Sequence, residues 1–192
     1  MLGRPPTKEE RAFFPVDDID LCIHDFVEKE NLPNSRIEAG VDWGESVGET
    51  VVTITERIYG RRKVLFIKRW RKVAVETQLP EIKELLDQWK PETVRCDSKP
   101  AFAVDLAKKL LKNLTPIDAQ YHKTEMLAQL YRKVKTHGLE VPANQVDLIK
   151  QLRSYHLHKR AGDDLVDSLC LSIFETSTES TGHTNIIKRK KR

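Results

Sequence analysis

Little in this chain suits a membrane, an oxidising compartment or a cage of thiols. Across its 192 residues no apolar run approaches the roughly 20 residues that a spanning helix needs. The N-terminus lacks the charged-then-apolar layout of an export signal, so a cytoplasmic protein is expected. The three cysteines, Cys22, Cys96 and Cys170, are odd in number and show no Cys-x-x-Cys spacing. They are expected as reduced core thiols, not as a disulfide or zinc frame. No internal repeat is visible. A body of one charge sign is missing too. The net charge is +4, but the last five residues, Lys188 to Arg192, are all basic, and without them 28 basic residues face 29 acidic ones. The body is therefore no general binder of polyanions. Any such affinity has to come from local patches or from the tail. The tail itself reads as an electrostatic arm, a localisation-like run or a solubilising end.

A hydrophobic content of 39% with 32% charged residues describes one globular domain able to bury a core. Residues 1–35 read as an entry or linker segment. It holds a short helix with Ile19, Ile23, Phe26 and Val27 on one side, and Asp17, Asp18, Asp20 and Asp25 on its solvated face. Three strand-like runs follow at 37–42, 50–57 and 63–70. The turn Tyr59-Gly60-Arg61 makes the last two antiparallel. Helices and strands then alternate: helix 79–90, strand 93–96, helix 100–114 with Phe102, Leu106, Leu110 and Leu114 in one row, and strand 115–120. Helix 123–136, strand 139–141, and helices 145–155 and 163–175 complete the pattern. Three antiparallel strands followed by parallel ones predict a mixed α/β sheet with helices on both faces, spanning 36–176. Residues 177–192 form a polar, basic C-terminal tail.

The chemistry is carried by acids. Asp42 ends the run Ile37-Glu38-Ala39-Gly40-Val41-Asp42, and Asp97 ends Glu92-Thr93-Val94-Arg95-Cys96-Asp97. A carboxylate at the end of a buried strand is costly unless something compensates it. Strand alternation sends Val41 to the core and Asp42 to a groove, and strand C-terminal ends are where α/β sheets place ligands. Asp163 and Asp164 open the last helix. At about 100° per residue, Asp164, Asp167 and Ser168 share one face, aimed away from a buried stripe of Leu165, Val166, Leu169 and Ile173. Asp163 suits either an N-cap or a place beside the acids. Asp167 suits a ligand, a partner of a ligand, or a solvated position. Converging carboxylates repel one another and need a cation between them. All-oxygen donors suit Mg²⁺ or Mn²⁺, and two such ions about 3.5–4 Å apart activate a water and stabilise a leaving 3′ oxygen. Glu45 and Glu49 follow Asp42 closely and read first as turn acids. Trp43 either stacks on a ligand or packs beneath the site.

Three stretches, Gly40-Val41-Asp42-Trp43-Gly44, Cys96-Asp97-Ser98-Lys99 and Gly162-Asp163-Asp164-Leu165-Val166-Asp167-Ser168-Leu169, together resemble the nuclease domain of viral large terminase subunits, a branch of the ribonuclease H-like nucleases. The likeness covers roughly 36–175 and includes Lys123-Thr124-Glu125-Met126 and Gln151-Leu152. It implies a ribonuclease H-like fold and a metal-dependent endonuclease that cuts concatemeric viral double-stranded DNA with low sequence specificity. It implies metal-binding acids at Asp42, Asp97 and Asp164, with Asp163 adjoining. As partners it implies a terminase ATPase domain, a small terminase subunit and a portal, in the host cytoplasm. Two departures stand out. Many relatives have a histidine where this chain has Gly162. No Gly-x-x-x-x-Gly-Lys-Ser/Thr loop is present, so the chain is not a packaging motor by itself. It is expected to be an excised domain, a split gene product or a reduced relative.

Cations beside the acids are candidate phosphate contacts: Lys99 after Asp97, Lys123 at a helix start, and Lys159 and Arg160 ahead of Asp163. Two other readings share or mimic the pattern. A junction resolvase or transposase of the same fold has the same acids, and would differ in its preferred DNA shape. An actin-like ATPase fragment would explain Gly40 to Gly44 but needs a second lobe. A third reading keeps the acids structural and the protein a docking module for a packaging partner.

Overall fold

The computed structural model describes residues 12–30, 32, 34–44, 48–157 and 163–176. In chain order its elements are α1 (Val16–Leu21), β1 (Ile23–His24), β2 (Arg36–Asp42), β3 (Glu49–Ile58), β4 (Arg61–Arg71), α2 (Val75–Trp89), β5 (Thr93–Asp97), α3 (Ala101–Leu110), β6 (Leu114–Ile117), α4 (Ala119–Lys135), β7 (Leu139–Pro142), α5 (Val146–Ser154) and α6 (Asp164–Ile173).

The alternating runs of β3 and β4 form a long hairpin closed by Tyr59 and Gly60. Both take positive φ, 45° and 82°, as a two-residue turn matched to strand twist requires. Ile58 pairs with Arg61 across it. β2 adds antiparallel to β3, and β5 and β6 continue in parallel on its other side. β7 lies parallel to β4, with the short β1 beyond it. The sheet order among the described residues is β1-β7-β4-β3-β2-β5-β6. This is the expected mixed sheet, three antiparallel strands flanked by parallel ones.

Two apolar clusters cover its two faces. Ile37, Ala39, Val41 and Trp43 of one face pack with Val52, Ile54, Cys96 and helices α2 and α3. Val51, Val64 and Val141 of the other pack with α1, α4, α5 and α6. Trp43 is therefore a core residue. The entry segment also belongs to the core through Phe14, Ile19 and Cys22. Its helix is shorter than expected: it stops at Leu21, Ile23 becomes a strand residue and Phe26 is exposed. Asp18 is not a purely solvated acid, since it accepts from Lys135 Nζ at 2.7 Å and lies 3.2 Å from His137 Nε2. α3 buries Ala103, Val104 and Ala107 rather than the row of larger residues, leaving Phe102 and Leu110 exposed.

α6 is the centre of the packing. It lies directly on β2, where Gly40 leaves no room for a side chain. A Cβ there would sit 2.1 Å from Ser168 O and 2.4 Å from Ser172 N. The Ser168 hydroxyl lies 3.0 Å from Gly40 O, 3.2 Å from Val51 O and 2.9 Å from Thr53 Oγ1. Ser168 therefore faces the sheet rather than away from the core, and the helix face it shares with Asp164 and Asp167 looks onto the strands. Gly40→Ala is expected to lower the free energy of unfolding by about 3 kcal/mol or more, because backbone rather than a flexible side chain blocks the new methyl group. Urea denaturation of the two proteins measures this, and an unchanged midpoint would contradict the close approach.

Candidate acidic site

Strand alternation and register bring the first two acids together. Glu38, Gly40 and Asp42 share the α6 side of β2, and Arg95 and Asp97 share that side of β5. Val41 lies opposite Cys96 in the parallel pair, so Asp42 and Asp97 follow side by side at neighbouring strand ends. α6 crosses above them with Asp164 and Asp167 in its first turn.

The electrostatics record the crowding. The Asp42 carboxyl is held well above the ordinary aspartate range. Burial is the largest cause, followed by the charges of Asp167, Asp164 and Asp97, while Lys123 works in the other direction. Asp97 is raised by burial even though its carboxylate accepts from the backbone N–H groups of Lys99 and Ala119, at 3.2 and 3.5 Å. Asp164 is raised by burial, with the charges of Glu49 and Asp167 adding and a backbone N–H from Glu49 and the charge of Arg69 opposing. Asp42 thus feels the charges of three other carboxylates across the site.

One ammonium group is set among them. Lys123 Nζ donates to Asp167 Oδ1 and lies 5.8 Å from the centre of the Tyr155 ring. Burial alone would lower the lysine, but the charge and hydrogen bond of Asp167 outweigh it and hold it above its usual range. Lys123 is therefore engaged with an acid of the site. Asp167 is correspondingly a partner within the site rather than a solvated residue. Among the described residues, no three acidic, histidine or cysteine side chains stand as a finished metal cage.

The remaining expectations divide. Lys99 is exposed beside Asp97, its Nζ 3.1 Å from Gln120 Oε1. Asp163 occupies the N-cap position of α6, but its side chain does not cap the helix. That task falls to Gln151 of α5, whose Oε1 accepts from the N–H groups of Leu165 and Val166 at 3.1 and 3.3 Å. Glu49 is no ordinary turn acid. It accepts from Arg69 Nε at 2.6 Å and from Arg71 Nε at the rim of the site. Arg69 in turn reaches Asp147 at 2.5 Å. Gln151 belongs to a stretch that the resemblance already includes, but its capping of α6 and the reach of Arg69 to Glu49 and Asp147 are contacts that only the tertiary fold reveals. Lys123 opens the stretch Lys123-Thr124-Glu125-Met126 and is an expected site residue. Glu45, Lys159, Arg160 and the basic tail lie outside the described residues.

With this geometry, comparisons with known proteins show a shared fold. It is the ribonuclease H-like mixed sheet of phage large terminase nuclease domains. The large terminase nuclease of the thermophilic phage G20c superimposes with a TM-score of 0.68 at 17% identity, over 82% of this chain and 95% of that one. A magnesium-bound structure of the same nuclease gives 0.64 at 19% identity, over 84% and 97%. The large terminase of another thermophilic bacteriophage gives 0.66 at 9% identity, over 82% of this chain and 43% of that one. No protein-family model and no curated protein matches the sequence. Among the described residues, no helix is long and apolar enough to cross a membrane.

The raised Asp42 carboxyl has a consequence for stability. The native state holds that proton more tightly than the unfolded chain, so stability falls as pH rises from the ordinary aspartate value, about 3.9, toward the raised one. In chelator at neutral pH, Asp42→Asn is expected to melt at least about 3 °C above the parent, roughly 1 kcal/mol for a domain of this size. The gap should close toward about pH 4. Thermal melts across that range are the check, and equal melting at neutral pH would show that the charge on Asp42 costs the fold nothing.

Proposed function

We propose that the chain is a divalent-metal-dependent DNA endonuclease of the terminase type, cutting concatemeric viral DNA during genome packaging. The observation that carries the reading is the Asp42 carboxyl, pressed upward by burial and by three neighbouring acids at the ends of two adjacent strands and the start of a helix. A shortfall of positive charge among oxygen-only donors suits a hard divalent cation, Mg²⁺ or Mn²⁺. The fold is shared with a nuclease whose structure holds magnesium.

Asp42, Asp97 and Asp164 are the residues that would hold such ions, with Asp163 adjoining. A pair of ions supplies Lewis acidity to both the attacking and the leaving oxygen of a phosphodiester. The protein's own contribution is placement. The N–H groups of Lys99 and Ala119 orient the Asp97 carboxylate. Lys123 holds Asp167 toward the site and offsets part of its charge. Lys99 lies where a phosphate beside Asp97 would meet an exposed cation, and Lys159 and Arg160 are proposed to extend that contact. The chain spans 43% of the second phage's large terminase, a protein also solved in complex with ATP-γ-S, which supports action alongside an ATPase domain. A small terminase subunit and a portal complete the proposed assembly.

Purified protein is expected to nick and linearise plasmid in Mn²⁺ or Mg²⁺ and to be silent in chelator. Asp42→Asn and Asp97→Asn should each fall below about one-hundredth of the parental rate, since even partners of metal ligands cost about 10–100-fold. Supercoiled, linear and four-way-junction DNA assayed side by side separate the readings. Cutting in chelator would remove the metal mechanism, and a strong preference for junctions would favour a resolvase.

A further inference from the structure

Strand β4 changes face partway along its length. Arg62 and Val64 lie on the α6 side of the sheet, where Arg62 donates to Glu38 and Val64 joins the apolar cluster beneath the helix. Val64 pairs with Thr55 and Phe66 with Ile54, so Leu65 is the extra residue of a β-bulge. Beyond it the alternation is inverted. Leu65, Phe66 and Trp70 pack on the side of α2 and α3, and Ile67 packs on the side of α6. Unbroken alternation would have sent Lys68 and Trp70 to the acidic face. The bulge sends Arg69 and Arg71 there instead.

Register fixes where these arginines stand. Asp42 pairs with Val51, and Val51 with Arg69. Arg69 is therefore on the Asp42 rung two strands away, about 10 Å across. Arg71 is two residues further out, about 7 Å along the strand, opposite Glu49. Glu49 joins them to the site. Its backbone N–H supports the Asp164 carboxylate, and its own carboxylate accepts from Arg69 Nε at 2.6 Å and from Arg71 Nε. Arg69 is closed off on its other side by Asp147, at 2.5 Å. Arg71 is open. Its side chain is 65% exposed, and among the described residues its ion pair is made at Nε, which leaves the two terminal nitrogens to an incoming group. An exposed ion pair contributes at most about 1 kcal/mol, so stability alone gives little reason for this bracket.

A guanidinium held at one nitrogen presents a planar set of N–H donors that matches the oxygens of a phosphate. Arg71 stands about 12 Å from Asp42 by the same strand spacings. One strand of duplex advances about 3.4 Å per nucleotide, so this is the reach of a phosphate a few nucleotides from the one over the acids. We propose that Arg71 anchors duplex DNA at the acidic site by gripping one such backbone phosphate, with Glu49 and Arg69 as the bracket that holds its side chain on the acidic face. This rests on the nuclease reading above and adds to it a residue that sets how the duplex lies across the acids.

Fluorescence anisotropy of the whole chain with a short labelled duplex, in chelator across a salt series that starts low, tests the assignment. Arg71→Ala is expected to weaken binding about tenfold, the range of one lost hydrogen bond to a charged group. It should also reduce the slope of log affinity against log salt by about 0.9, one phosphate contact. Arg71→Lys keeps the charge without the fork, so it should keep the slope and lose a smaller part of the affinity. Lys68→Ala removes an equal charge from the opposite face of the same strand, where Lys68 pairs with Glu81 at 2.8 Å, and should change neither quantity. Thermal melts confirm that each variant is folded. An unchanged slope in Arg71→Ala, an equal loss in Lys68→Ala, or no duplex binding by the parent overturns the proposal. The two readings fail separately. A parent that binds duplex through Arg71 yet cuts nothing in Mn²⁺ retires the nuclease and keeps the anchor. A parent that cuts while Arg71→Ala binds as the parent does retires the anchor alone.

Discussion

The closeness of α6 to β2 at Gly40 is the constraint on which the rest of the molecule turns. Only a residue without a side chain lets Ser168 and Ser172 of the helix rest on strand backbone. That contact sets the height at which Asp164 and Asp167 stand above Asp42 and Asp97. A helix carried on ordinary side chains would lie several ångströms higher, since helix and sheet axes then keep a full side-chain layer between them. Acids at that height would no longer sense one another as they do here. Packing and chemistry are thus the same fact at this position.

The helix is held at three points, each by a different means. Beneath it, Ser168 meets β2 and β3. At its C-terminal end, Arg62, fully buried, donates to Glu38 at 2.7 Å, to Glu175 at 2.6 Å and to Ile173 O at 3.4 Å. Gln129 exchanges two hydrogen bonds at 2.8 Å with the backbone of Glu175. Such a buried ion pair contributes little net stability over apolar packing, but removing one partner costs about 3–5 kcal/mol. Its effect is to make one placement of the helix end much better than its neighbours. The opposite end carries the acids, where uncompensated charge works against the fold. Rigid anchoring far from the acids is what allows their mutual repulsion to persist without pushing α6 away.

Much of this is readable from local sequence, and the failures share one cause. The β3–β4 hairpin, the strand ends at Asp42 and Asp97 and the helix start at Asp164 follow from alternation, a Tyr-Gly turn and helical period, which are properties of neighbouring residues. α2 begins at Val75 rather than at Leu79, because its first turn carries no repeating apolar residue even though Val75 and Gln78 are buried. α3 turns Ala103 and Ala107 inward rather than Phe102, because the space beneath it is small and local pattern favours large residues. Ser168 reads as outward-facing for a similar reason: a serine looks polar until the backbone it touches is known. The pairing of Lys123 with Asp167 and the capping of α6 by Gln151 join residues 44 and 14 positions apart, and no local pattern encodes them.

The cap supplied by Gln151 moves the fixing of the start of α6 onto another helix. Helices usually begin where a serine, threonine, aspartate or asparagine immediately before them satisfies the first N–H groups, which ties the start of the helix to the loop leading into it. Here the start is dictated from α5, by a side chain already fixed in the core layer. The place of Asp164 is therefore set by α5 and not by a side chain of the residue that precedes the helix.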